Sequence, residues 1–489
     1  RDNMKKINIM YLIGIMMVAS SLGLHAESGS NADDALVDSL VQEGLLTHEQ
    51  AERIRARVHE ASEEETPASK IALSDSVKSL QFYGDGRLRF ENINQHNHDA
   101  AISLNDRERY RLRIGADYTY SDHFKAGFEL ESGTTDDSAN QTFGGMFTKA
   151  SINVGKIYLR YDPTDWLTFY AGKFNNPWYT TTDLVYSYDL NPEGGAELFT
   201  FQPTANLTVS FNAVQYFYID ANEGSTLPNV SNNDVQIIGN QIPVTWRITK
   251  DVTMKFAPGF TFYTGGGNTN YGTAVPVNFT TSGTTGTVYA ATGNSSTDPV
   301  FQSPREADDL AVVSLPGEFD FKVAGIAVRP YWDFEWNAEG RERIQHVYLD
   351  PTGSAPSAGT AASVAAQNRA LNDDLAWAVG VQVGQNKRKG DWSSLLEFRQ
   401  IGLGAVDQNI NGTDYADSYA NQEGFKLSGA YNFTDFLTGT VTFYDTWDYK
   451  KNLYDSLGGT SATPVTGSTQ YLASEKSVQR VQVDLGWKF

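Results

Sequence analysis

The sequence predicts an all-β fold: a 16-stranded antiparallel transmembrane β-barrel over residues 79–489, preceded by a short N-terminal helical hairpin. Three observations predict it. Apolar and polar residues alternate with period two along most of the chain, which puts successive side chains on opposite faces of a sheet. The connections between these stretches are short and long by turns, the plan of a barrel with tight turns at one rim and long loops at the other. Beyond the first 26 residues no segment is long and apolar enough to cross a membrane as a helix, so a chain of this kind crosses as a closed barrel.

Taken in chain order, the first element is an export signal. Met4-Lys5-Lys6 is basic, Ile7 to Leu24 is uncharged and mostly apolar, and Leu24-His25-Ala26 ends on a small residue. That three-part pattern makes residues 1–26 a secretory signal peptide, with an uncleaved anchor as the other reading. Residues 27–78 read as a periplasmic helical segment and linker. Ala35-Leu36-Val37, Leu40-Val41 and Leu45-Leu46 recur at helical spacing, and Gly44 can end a first helix. Thr47-His48-Glu49-Gln50 is a capping box that starts a second helix through Ile54 and Val58, and Ser62 to Pro67 is a linker. For residues 33–62 two readings stand: contact with copies of the chain, the periplasm or the cell wall, or a solvated extension without a partner.

From Leu80 onward the strands follow one another. Arg107, Arg109, Arg111, Arg113 and Asp117 share one parity, while Tyr110, Leu112, Ile114, Ala116 and Tyr118 share the other. Phe124, Ala126, Phe128 and Leu130 oppose Lys125, Glu129 and Glu131. Val481, Val483, Leu485, Trp487 and Phe489 oppose Arg480, Gln482, Asp484 and Lys488. Short connections fall at Ser121-Asp122, Asp162 to Asp165, Gln202 to Ala205, Thr249 to Asp251, Val323 to Gly325, Lys389 to Asp391 and Thr434-Asp435. Long polar stretches lie near 92–105, 134–150, 175–193, 221–234, 265–307, 337–372, 404–418 and 447–474. Seven turns and eight loops join sixteen strands. A soluble β fold is disfavoured, because its strands are shorter and a propeller would show an internal repeat.

Composition narrows the function. An aromatic content of 12% with 20% charged residues argues against disorder. The absence of cysteine excludes a disulfide scaffold, thiol catalysis and Cys-ligated metal centres. A net charge of −21 argues against nucleic acid as a partner. His96-Asn97-His98 has no companion His-Glu-x-x-His motif, so no metal is expected; no cofactor and no catalytic residue is expected either. Asp407, Asp414 and Asp417 read as a solvated acidic loop, with a Ca²⁺ site as the other reading.

Several motifs carry a family resemblance. The closing Trp487-Lys488-Phe489 resembles the C-terminal signal of bacterial outer-membrane proteins, and the sixteen-strand count resembles the general porins. The strand Gly84-Asp85-Gly86-Arg87-Leu88-Arg89-Phe90-Glu91 is similar to one in a family of putative bacterial porins. So is the segment Asn176-Pro177-Trp178 with Thr182 to Tyr186 and Asp189 to Gly194. The resemblance covers nearly the whole mature chain. It implies a trimeric pore in the bacterial outer membrane, surrounded by lipid, with a third loop folded into the lumen; it does not name a solute.

The inward parity supplies the pore chemistry. Arg87 and Arg89, with Arg107, Arg109, Arg111 and Arg113, would form a basic stripe on one wall; Arg160, Arg247 and Arg329 are also on the polar parity. Lys173 shares parity with Leu167 and Phe169, so only a bulge after Gly172 would turn it inward. On the third loop, Asp183, Asp189 and Glu193 supply acids and Tyr186 packing. Arginines facing loop carboxylates would set a field across a constriction. The plainer reading is that they pair with Asp85, Glu91, Asp117, Glu129 and Glu131 and tie strands together. The function expected is therefore an outer-membrane porin for passive diffusion of ions and small hydrophilic solutes. Two others stay open: an anion- or carbohydrate-selective channel, the latter using Tyr83, Tyr158 and Tyr170, and a structural or adhesive barrel.

Overall fold

The computed structural model describes residues 77–489 apart from 98–99, 134–137, 145, 148, 220–234, 265–274, 282–283, 291–308, 345–371, 419 and 451–475. The signal peptide and helical hairpin expected from the sequence lie outside the described residues.

Sixteen antiparallel strands close on themselves. In chain order they are β1 (Ser79–Asn97), β2 (Ala100–Thr119), β3 (Phe124–Glu131), β4 (Asn153–Thr164), β5 (Leu167–Lys173), β6 (Glu193–Thr204) and β7 (Leu207–Ile219). Three strands are each interrupted once: β8 (Val235–Gln241 and Val244–Arg247), β9 (Thr253–Phe256 and Gly259–Thr264) and β10 (Ala311–Ser314 and Gly317–Val323). The rest are β11 (Ile326–Asn337), β12 (Leu375–Gly384), β13 (Trp392–Ile401), β14 (Gln422–Asn432), β15 (Leu437–Asp448) and β16 (Lys476–Lys488). Each pairs with its chain neighbours, and β1 pairs with β16 from Asp85 opposite Lys488 to Asn97 opposite Lys476. A closed ladder leaves no unpaired edge, which is what a membrane-spanning sheet requires.

The three interruptions have one cause. Pro243, Pro258 and Pro316 sit in the gaps, and proline brings no N–H to the ladder. Their carbonyls still serve: Ser210 N–H donates to Pro243 at 2.8 Å, Ile242 to Pro258 at 2.8 Å and Ala257 to Pro316 at 3.0 Å. The sheet therefore steps across three adjacent strands without opening.

Burial runs opposite to that of a soluble protein. Phe82, Leu159, Leu396 and Val441 are half exposed or more on one parity, whereas Arg89, Glu91, Glu397 and Arg399 are buried on the other. The apolar face looks out toward lipid and the charged face into the lumen. Aromatic contacts frame both rims of the outer face. Trp166 meets Phe201 and Phe124 meets Tyr161 near the short turns, while Trp377, Phe398, Phe425 and Trp447 form a chain near the loop ends.

One expected loop is not there. The stretch near 92–105 is paired strand, with Asn92 opposite Asp106 and Gln95 opposite Ser103. Asn92, Asn94 and Asp106 on one parity and Gln95 and Asn105 on the other break the period-two alternation while the backbone ladder continues; pattern alone does not detect such a strand. The seven short connections fall where the sequence puts them, three of them only two residues long: 165–166, 205–206 and 324–325.

Candidate functional site: a lumen crossed by two loops

The third loop, 174–192, leaves β5 after Gly172, whose φ of +118° is a conformation suited to glycine. A Cβ there would come within 2.3 Å of the Ile157 carbonyl. Inward side chains then hold the loop at successive points. The Asn212 amide donates to the Pro177 carbonyl at 3.1 Å, and the Tyr216 hydroxyl to Asn176 at 2.9 Å. Gln241 accepts from Tyr179 N–H and donates to its carbonyl, both at 2.8 Å, as a neighbouring strand would. The Thr181 hydroxyl donates to the Trp332 carbonyl and that of Thr182 to Asp333, each at 2.7 Å. Asp183 pairs with Arg399 at 2.7 Å. Trp178 fills the space left by Gly239 and Gly259, where a Cβ would lie within 3 Å of its ring. The loop thus crosses the lumen from β7 and β8 to β11 and β13.

A second loop enters from the other side. Residues 402–421 give up two backbone hydrogen bonds to the first: Ser187 N–H donates to the Ile410 carbonyl at 2.7 Å, and Gly412 N–H to the Asp183 carbonyl at 2.8 Å. Leu184, Val185 and Tyr186 pack with Val406, Ile410 and Tyr415 in one buried cluster. The Tyr218 hydroxyl donates to Asp407 at 2.8 Å. Asp414 reaches Arg89 at 3.2 Å and Arg480 at 3.4 Å, and accepts from the Gln482 amide at 2.9 Å. Partial burial would push the Asp414 carboxyl up, but Arg89 and then Arg480 outweigh it and hold it far below the usual carboxylate range. Burial and Arg399 act on Asp183 in the same opposed way, and the net direction is again down.

This second loop is what sequence reasoning missed. Asp407 is buried against a tyrosine, and Asp414, a third exposed, is held by two arginines; among the described residues no group of acids gathers to hold a cation. The side chain of Asp417 lies outside the described residues. The overlooked signal is apolar: Ile401, Leu403, Ala405, Val406 and Ile410 are all buried, and a loop over open water has no use for them.

The arginine wall is placed as follows. Arg111 pairs with Asp85 at 2.7 Å and with Asp189 of the third loop at 3.2 Å; Arg113 does the same at 2.6 and 3.4 Å. Arg107 and Arg109 share Glu91 at 2.6 and 3.6 Å, Arg89 pairs with Asp484 at 2.7 Å, and Arg87 donates to Asn140 at 2.5 Å. With Arg480, seven guanidiniums face the five carboxylates of Asp85, Glu91, Asp189, Asp414 and Asp484, and Glu131 stands opposite Arg113, so the wall is largely neutralised.

The remaining candidates do not converge there. Arg160 pairs with Asp162 at 2.9 Å near a turn, Arg247 is exposed at the end of β8, and Arg329 meets Glu318 at 3.6 Å. Glu193 is not a loop residue: it opens β6 and pairs across the ladder with Lys173 at 2.8 Å. Strand pairing starts there because Lys173 and Glu193 stand opposite each other in register. Asp183 and Tyr186 are buried among protein groups rather than presented to open water.

A family model described as putative porin matches residues 95–454. Among solved structures, OprB of Pseudomonas putida at high pH is 10% identical over 84% of this chain and 94% of its own, with a TM-score of 0.45. OmpF of Salmonella typhi, in complex with daunomycin, is 10% identical over 86% of this chain and 100% of its own, with a TM-score of 0.40. No curated protein matches the chain.

Proposed function

The chain belongs to the putative porin family, and on that premise we propose that this channel of the bacterial outer membrane passes ions and small hydrophilic solutes by passive diffusion, with the third loop as its constriction. What supports the constriction is the meeting of Asp189, on a loop that crosses the lumen, with Arg111 and Arg113 on the wall. Fixed opposite charges across a narrow aqueous passage orient dipolar solutes and bias ions without any covalent step. A lumen of sixteen strands is wide enough to keep water where loops do not fill it. Trimeric assembly, and periplasmic or cell-wall contact through residues 33–62, belong to the same proposal.

One observation favours a carbohydrate-selective variant. The rings of Tyr83 and Tyr158 lie against Gly115 and Gly127, and Tyr158 stands 6.0 Å from Tyr170, giving flat apolar surfaces on a polar wall. Single-channel recording of the refolded mature chain in a planar bilayer tests the proposal. Stable conductance steps without saturation by sugars support the general pore. Saturable block by an oligosaccharide moves the reading to the selective channel, and a folded barrel that never conducts ends both.

A further inference from the structure

The outward face of β5 to β8 is polar at mid-depth, where that of β12 to β15 is apolar; the outward Glu423, Asp445 and Gln479 lie nearer the loop ends. Along β6 the outward residues above Phe201 and Phe199 are Glu197 and Gly195; along β7, Ala213 and Gln215 lie between Phe211 and Phe217. On β8, Asn240 stands opposite Ala213, and on β5, Ala171 stands opposite Gly195. Glu197, Gln215 and Asn240 are all exposed. At matching places on β12 to β15 the outward residues are Val379, Leu396, Leu427 and Val441. The polar group therefore sits in the apolar band itself, with aromatic residues below and above it. The small side chains leave a depression of about 280 Å³ there, lined by Phe169, Gly195, Glu197, Ala213, Gln215 and Asn240 among others.

Lipid tails satisfy neither a carboxylate nor an amide, and a charged group on the lipid face is costly at mid-depth. We infer that this face is an interface between copies of the chain, in which Glu197 accepts hydrogen bonds from the Gln215 and Asn240 amides of a neighbour. The inference rests on the outer-membrane reading above, since membrane placement is what makes the exposed patch costly.

A second copy is the occupant that the chemistry fits. Glu197 only accepts, whereas the two amides also donate, so the patch is complementary to itself. The carboxylate lies on β6 and the amides on β7 and β8, side by side along the wall. Rotation about an axis along the membrane normal sets each Glu197 against the next copy's amides, and the operation closes with three copies as readily as with two. A second copy also carries the same aromatic frame, so its donors arrive at the same depth. The Gln215 amide already donates to Gln236 at 2.8 Å, which holds it in place while its second N–H remains for a neighbour.

The test uses the full chain in the outer membrane, with p-benzoylphenylalanine placed in turn at Gln215 and at Leu427. Irradiation is expected to give a product of twice the chain's mass, containing two copies, from position 215 and not from 427. Cross-linking from 427 alone, or from 215 only to lipid or to a different protein, overturns the inference. Glu197→Leu is expected to raise the dissociation constant of detergent-extracted oligomers about tenfold; an unchanged constant also overturns it. Conductance of the same preparations keeps the questions apart: barrels that conduct but do not cross-link at 215 refute the interface and leave the channel standing.

Discussion

The main chains of Gly84 and Phe489 exchange two hydrogen bonds, each 3.1 Å long, so the last residue is a rung of the ladder that closes the barrel. The Phe489 ring lies over Gly84 on the outward face and the Trp487 ring over Gly86, places where a Cβ would come within 2.4 and 2.1 Å of the rings. Aromatic rings covering strand glycines compensate for their missing side chains. Gly86→Val is expected to displace Trp487 and destabilise the closed barrel by about 1–3 kcal/mol. Urea titration of the heat-modifiable folded band on gels measures this; an unshifted midpoint would show that the seam tolerates the added methyl groups.

Asp189 is one of five carboxylates facing seven guanidiniums on the arginine wall, and it is the one carried by the crossing third loop. Asp189→Asn should leave Arg111 and Arg113 paired with Asp85 and so preserve the fold. It should shift the reversal potential in a salt gradient toward anions. Arg111→Gln should shift it the opposite way. If neither substitution moves the potential, ions do not pass this point and the constriction lies elsewhere.

Arg399 is fully buried, touching Asp183 at 2.7 Å and Glu397 at 2.6 Å, with its guanidinium 4.6 Å from the centre of the Tyr415 ring. Arg399→Leu strips two buried carboxylates of their partner. Breaking such a group typically costs about 3–5 kcal/mol. The expected result is a lower urea midpoint together with noisy, enlarged conductance as both loops loosen. Asp183→Asn should cost less, because Glu397 still neutralises the arginine. Equal losses from the two substitutions would contradict this arrangement.

How much of this was readable beforehand depends on where water meets the chain. Within the membrane band one face of each strand is apolar and the other polar, so the parity of Arg107 to Arg113 against Tyr110 to Ala116 marks the strand directly. Above the band both faces are wet, and the pairing of Asn92 with Asp106 leaves no mark. The third loop shows itself through Pro177, Trp178 and Tyr186, aromatic and rigid residues out of place in open water. The second inserted loop was hidden by its acids. Asp407 and Asp414 read as solvated until Tyr218, Arg89 and Arg480 are known to face them, and those partners lie far away in sequence. Long-range pairing across a lumen has no local signature.

Acid should release that second loop only at extremes. Asp414 keeps about a third of its side-chain surface exposed, yet Arg89 and Arg480 hold its carboxyl far below the usual carboxylate range. A group depressed in the folded state adds stability that is complete above its unfolded value of about 3.9 and is lost as pH falls through the lower folded value. Between pH 8 and pH 5 the loop should therefore stay docked, and channel conductance should show no transition due to Asp414. Asp414→Asn removes the charge at every pH. With partial exposure discounted, it should weaken docking by about 1–3 kcal/mol at neutral pH. The variant is expected to flicker more than the parent channel already at pH 7. A parent channel that begins to flicker between pH 6 and 5 would mean that a different group holds the loop, because Asp414 is still ionised there.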